Sequence, residues 1–285
     1  QIDLNNHRQA NLGQSESGEF LERLRLDSKE SVYRQFLLFT RFYDSPKPVV
    51  LCEGSTDNVY LVHAVRSLVV DVPILATKLP NGDIEINVRF HRYFKRRKKK
   101  NPTEHSSAIS STNRILKLKG GSGELLNFAK LYREMHAKFK SPGGYQPIIL
   151  LVDNDDGAKD IFSFVKGMNK ACDPKHDAFV HLFRNLYLVA TPLTAKKPNA
   201  TVIEDFFTDD TKMEPVNGKP FDSKKEHEDE TSYGKAVFAH RVVRPKADSI
   251  DFSNFKQFLL NISAAIEHHR KTHLPPGKSV SSAQP

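Results

Sequence analysis

The chain has 285 residues, enough for roughly two domains and for a sizeable buried core. Lys and Arg number 43 against 34 Asp and Glu, and the formal net charge of +9 favours a polyanionic partner over an acidic or neutral one. Two cysteines, Cys52 and Cys172, exclude a disulfide framework and a four-cysteine zinc site, so a reducing, cytoplasmic setting is expected. No apolar stretch approaches the roughly 20 residues of a membrane span, so no membrane partner is expected. The polar opening at Gln1, with no initiator Met, predicts a chain without a signal peptide that is cut from a longer polypeptide.

Residues 1–18 are polar. Residues 19–43 carry Val32, Phe36, Phe39 and Tyr43 at three- and four-residue spacing, the stripe of an amphipathic helix that Asp44, Ser45 and Pro46 then stop. Residues 48–53 (PVVLCE) are too short for a buried helix and rich in β-branched side chains, hence a central strand, and residues 55–68 follow as a helix. A second strand is predicted over 73–77. Residues 78–119 are too long for an ordinary connection, and within them Ile84, Ile86, Val88 and Phe90 alternate with polar residues as in a half-buried strand.

After Gly120-Gly-Ser-Gly123, the residues Leu125, Phe128, Tyr132, Met135 and Phe139 mark a helix, and residues 147–152 (PIILLV) return to a buried strand. A helix from near Ala158, a strand over 185–190, a strand-like 200–203 and helices over 235–243 and 252–268 complete the pattern. Alternating strands and helices predict an α/β fold with a mostly parallel sheet flanked by helices. The chain divides into a helical segment 1–45, the α/β unit 46–210 with its insertion 78–119, a helical extension 211–273 and a tail 274–285 with little to bury.

In open parallel sheets the functional crevice lies beyond the carboxyl ends of the strands, and here those ends are acidic. Glu53 ends the first strand, Asp153 and Asp155 end the strand after the insertion, and Glu204 with Asp205 ends the last. Two carboxylates about 4 Å apart repel by roughly 4 kcal/mol at an effective dielectric of 20, so a cluster of them requires bound protons or a cation. Hard oxygen donors of this kind suit Mg²⁺ or Mn²⁺. Gly54 and Gly157 follow the acids and leave backbone room for a phosphate or metal shell, or serve as ordinary turn glycines. Asp57 is either a further ligand or a helix-terminal charge.

A strand ending in Glu-Gly (Glu53-Gly54) and a later strand ending in Asp-x-Asp (Asp153-Asn154-Asp155) resemble the two signature motifs of Toprim domains. Glu53-Gly-Ser-Thr-Asp57, Asp153-Asn-Asp-Asp-Gly157 and Val202-Ile-Glu-Asp-Phe206 look like the nuclease branch of that family, similar to the overcoming-lysogenization-defect nucleases. In that branch, acids at the positions of Asp57 and Glu204 help to hold a second metal. Lys235, in Tyr233-Gly-Lys-Ala, is similar to a lysine that the branch carries downstream.

The aromatic lead-in over 33–48 resembles retron reverse transcriptases with a C-terminal Toprim domain, and residues 1–45 would then be a linker or the end of a polymerase thumb. The resemblance implies a Toprim effector attached to a reverse transcriptase and active in anti-phage defence. It implies Mg²⁺- or Mn²⁺-dependent phosphodiester hydrolysis with Glu53, Asp153, Asp155 and Lys235 as catalytic residues. Glu53, Asp57, Asp153, Asp155 and Glu204 are the implied metal ligands, around one ion or two. The alternative is a catalytically silent Toprim module that binds retron nucleic acid or a partner protein.

Arg92 and the run Lys95, Arg96, Arg97, Lys98, Lys99 and Lys100 predict contact with nucleic acid, either the retron RNA–DNA or a target DNA or RNA. The plainer reading of the run is a solvated loop. The 120–123 glycines lack a GxxxxGK[ST] pattern and read as a flexible lead-in to a helix. His269 and His273 stand one helical turn apart without HExxH, which argues against zinc, and Cys52 reads as a packed thiol.

Overall fold

The computed structural model describes residues 28–97, 106–109 and 111–273. Its centre is a five-stranded sheet of order β4-β1-β7-β9-β8, built from β1 (Val49–Cys52), β4 (Arg89–Phe90), β7 (Ile148–Val152), β8 (Val180–Phe183) and β9 (Leu186–Ala190). β4, β1, β7 and β9 run parallel, and β8 closes one edge antiparallel to β9. β1, β7 and β9 are buried along their whole length, which is why each reads as an unbroken apolar run.

Successive strand residues point to opposite faces and fill two cores. On one side Val49, Leu51, Ile148, Leu150 and Leu188 meet a helix over 28–43 (α1), α4 (Ser122–His136) and α5 (Lys159–Met168). On the other, Val50, Cys52, Ile149, Leu151 and Val189 meet α2 (Asp57–Ser67), α7 (Lys235–Val237) with the π-helical turn Phe238–Val243, and α8 (Lys256–Thr272). Fully burying one such Leu or Phe is worth about 1.5–3 kcal/mol. The helical extension therefore shares with α2 the cover of one face of the sheet. The mostly parallel, helix-flanked α/β architecture is the one expected, and among the described residues no helix is long and apolar enough to cross a membrane.

Several elements differ from expectation. The strand predicted over 73–77 is β2 (Ala76–Lys78), which pairs antiparallel with β3 (Ile84–Ile86) in a ribbon apart from the main sheet. Asn81-Gly82 at its tip is a strong hairpin signal, and Gly82 takes φ +88° there. The alternating run 84–90 is consequently split, its first part in the ribbon and its last two residues, β4, on the edge of the sheet. Residues 200–203 form no strand: Thr201 makes a single bridge to Asn154 and the chain turns at once into a 3₁₀ turn, Ile203–Phe206. Strand β8 was not foreseen.

Helix α1 also buries a different face from the predicted one. Leu37, Leu38 and Phe42 are buried, whereas Val32, Tyr33 and Phe36 are 68, 48 and 57% exposed. Its last five residues, Phe39–Tyr43, form a π-helical turn whose extra residue rotates the phase of the stripe.

Candidate active site

The parallel register of β1 and β7 brings Glu53 and Asp153 side by side at one edge of the sheet, where the Asp153 N–H donates to Glu53 Oε2 (3.1 Å). Burial pushes the Glu53 carboxyl above its ordinary range, against the hydrogen bonds from the backbone of Asp153 and Ser122 that favour its charge. Asp57, in the first turn of α2, is buried, and its Oδ2 accepts the Gly54 N–H (2.7 Å). A Cβ on Gly54 would stand 2.4 Å from Asp57 Oδ1, so only glycine lets this carboxylate fold back over the strand end.

Asp153 Oδ1 accepts the Ile203 N–H (2.9 Å), which draws the 3₁₀ turn Ile203–Phe206 against the end of β7. That turn delivers Glu204, only 1% exposed, into the cluster. Burial, then the charges of Asp57, Glu204 and Glu53, push Asp153 up to about 9. Burial and then Glu204 push Asp57 up to about 7. Glu204 is likewise raised by burial, which Lys235 opposes.

Lys235, the first residue of α7, lies with Nζ 3.0 Å from Glu204 Oε2. At that distance it is the carboxylate's charged partner and leaves Oε1 without one. Burial alone would lower the Lys235 ammonium, but Glu204 and the neighbouring aspartates win and raise it. Asp155 has a different job: its Oδ1 accepts the Gly157 N–H (2.8 Å) and caps the 3₁₀ turn Asp156–Ala158 that leads into α5. Its charge still bears on Glu53.

The glycine-rich 120–123 segment is part of this site, and its contact with Glu53 was missed in sequence. Gly121 donates its N–H to Glu53 O (2.8 Å), and Ser122 Oγ donates to Gly157 O (2.7 Å), so the start of α4 ties together the ends of β1 and β7. Two successive glycines before a helix were the available signal, because Gly120 (φ +108°) and Gly121 (φ +97°) both need backbone that other residues rarely adopt. A Cβ on Gly120 would also meet Glu53 O at 3.0 Å. Gly120→Ala should therefore cost about 1–3 kcal/mol, read as a fall in melting temperature. Gly123→Ala, in open space at the helix start, should leave it unchanged or slightly raised. Equal effects from the two variants would contradict this role for the loop.

The donor set fits a divalent cation in its chemistry: hard carboxylate oxygens, mutually repelling, with Glu204 Oε1 buried and unpartnered. Among the described residues, however, no three Asp, Glu, His or Cys side chains are already placed to grip one ion together. Lys235 and retained protons balance the charge instead. The cavity touching Asp57 and Asp153 is about 10 Å³, room for about one water.

Arg92 is exposed near this edge, and Tyr93 anchors the following ribbon by donating its hydroxyl to Cys52 O, one residue before Glu53. Lys95, Arg96 and Arg97 lie on β5 (Phe94–Arg97), paired antiparallel with β6 (Ser106–Ile109), while Lys98, Lys99 and Lys100 lie outside the described residues. His269 is fully buried and its Nε2 donates to Gly144 O (2.8 Å), and Cys52 is a buried free thiol. No protein-family model and no solved structure matches this chain.

Proposed function

We propose that this chain is a Toprim-type, metal-dependent nuclease, the effector part of a cytoplasmic retron reverse transcriptase in anti-phage defence. The observation that carries the reading is the meeting of Glu53, Asp57, Asp153 and Glu204 with Lys235 at the carboxyl edge of a parallel sheet. The motif resemblance supplies the family, and the basic ribbon that Tyr93 ties to the end of β1 supports a nucleic-acid substrate, whether retron RNA–DNA or a target strand.

In this reading Glu53, Asp153 and Asp155 hold the first Mg²⁺ or Mn²⁺, and Asp57 with Glu204 complete a second site. Such ions, when bound, polarise a phosphate and make a water more acidic. Glu53 is placed at the strand end to act as ligand or general base. Lys235 is the cation of the chain that faces charge developing on the scissile phosphate, once Glu204 is otherwise neutralised. Arg92 and the 95–100 run bind the backbone of the strand without reading its sequence.

The test is cleavage of a panel of single- and double-stranded DNA and RNA with Mg²⁺ or Mn²⁺ and with chelator. Metal-dependent cutting by the parent, abolished in Asp153→Asn with the fold retained, is the expected result. An Asp153→Asn variant that cuts at the parental rate removes the catalytic assignment. A parent that binds these nucleic acids and cuts none of them supports the silent binding module instead.

A further inference from the structure

The segment between β9 and the Ile203–Phe206 turn holds a polar network with no part in the chemistry above. Thr191, Thr201 and Asn154 are each at most 1% exposed. Thr191 Oγ1 accepts the Asn154 N–H (2.8 Å) and donates to Thr201 O (2.8 Å), with Thr201 Oγ1 also at 2.9 Å. Thr201 Oγ1 donates back to Thr191 O (3.0 Å). The backbones close the ring: Asn154 N–H reaches Thr201 O (2.9 Å), Thr201 N–H reaches Asn154 O (3.0 Å), and Thr191 N–H reaches Val152 O (3.0 Å). Asn154 Nδ2 ties the knot outward to Lys175 O (2.9 Å).

This network sits between the two halves of the acidic site. Asn154 is the residue between Asp153 and Asp155, and Thr201 stands three residues before Glu204. Once the cluster ionises, like charges at Asp153 and Glu204 would separate if each were free on its own loop. Two threonine hydroxyls buried at one spot, each bonded to the other's backbone carbonyl, are instead a rigid joint between those loops.

We infer that Thr191 and Thr201 are positioning residues, a hydroxyl clamp that fixes the distance between the Asp153-Asn154-Asp155 turn and Glu204 and so sets how tightly the site holds a divalent cation. The effect on cation binding rests on the proposed metal site; the clamp itself does not. Outer partners of metal ligands commonly change affinity by about 10- to 100-fold when removed.

The test uses the full chain, with Mn²⁺ as probe followed by electron paramagnetic resonance, and amide hydrogen exchange as a readout independent of metal. Thr191→Val keeps the shape and removes the hydroxyl. It should weaken Mn²⁺ binding about 10-fold or more and speed exchange at Asn154 and Ile203 by a similar factor, with Leu51 in β1 unchanged. Thr191→Ser should restore both. Thr201→Val, which removes the bond to Thr191 O, gives a milder version should Thr191→Val not fold. Unchanged exchange at Asn154 and Ile203 in a folded valine variant overturns the clamp. So does a loss of protection that extends equally to Leu51 and that serine does not rescue. A parent that binds no Mn²⁺ overturns the metal reading, and the exchange result then decides the clamp alone.

Discussion

Asp153→Asn should raise the melting temperature of the protein in chelating buffer at pH 8 by about 5–10 °C. Asp153 is pushed up to about 9 by burial and by Asp57, Glu204 and Glu53, whereas in the unfolded chain it ionises near 3.8. A raised carboxyl contributes its full stability below the unfolded value and loses it as pH rises toward the folded one. At pH 8 the unfolded chain has released a proton that the folded chain retains. At about 1.36 kcal/mol per unit this is on the order of 3 kcal/mol once the charge is shared among the coupled acids. Asparagine mimics the protonated acid and can still accept the Ile203 N–H.

Asp57 behaves alike between its unfolded 3.8 and about 7. Six histidines run the other way: His63, His91, His136, His268, His269 and His273. His91 and His269 are lowered from 6.5 to about 4, first by burial, so their stability is present above 6.5 and is lost as pH falls toward 4. Between pH 4 and 6.5 the raised acids and the lowered histidines oppose each other, and above 6.5 the acids prevail. Metal-free stability should decline above about pH 6.5, with a shallower decline in Asp153→Asn. Identical alkaline slopes in parent and variant would contradict this account of the cluster.

The second large effect is expected at Lys235. Lys235→Met removes the ammonium 3.0 Å from Glu204, whose side chain is almost fully buried, and leaves a carboxylate with no compensating charge. Breaking a buried pair from one side costs about 3–5 kcal/mol, whereas removing both members is often close to neutral. The single variant should lose roughly 10 °C at pH 8 and less at pH 5, where Glu204 takes up a proton more readily. Glu204→Gln combined with Lys235→Met should recover most of that loss. Differential scanning calorimetry of parent, both single variants and the double variant reads the coupling. Additive losses would show that Lys235 and Glu204 are not paired.

The acids were legible because a strand buried on both faces is an unbroken apolar run, and its end is marked by the first charged residue. Glu53 and Asp153 stand out for that reason. Glu204 was found from a run misread as a strand, since residues 200–203 offer β-branched side chains but only one bridge to Asn154. Strand β8 escaped because it is four residues long and only partly buried on alternate positions. On α1 the aromatic stripe outweighed Leu37 and Leu38, and nothing in the spacing announced the π-helical turn that brings Phe42 inward. The part played by Gly120 and Gly121 depends on which strand end the loop reaches, a long-range fact that local pattern does not carry.

The central claim is that the carboxylates gathered at the ends of β1 and β7 form a divalent-cation site. The most direct test is Mn²⁺ titration at pH 8 by electron paramagnetic resonance on the parent, Asp153→Asn, Glu204→Gln and a control, Asp83→Asn, in the exposed turn between β2 and β3. Saturable Mn²⁺ binding in the parent and control, lost in Asp153→Asn and weakened in Glu204→Gln, is the predicted result. No saturable binding in the parent, or equal binding in all four proteins, would contradict it.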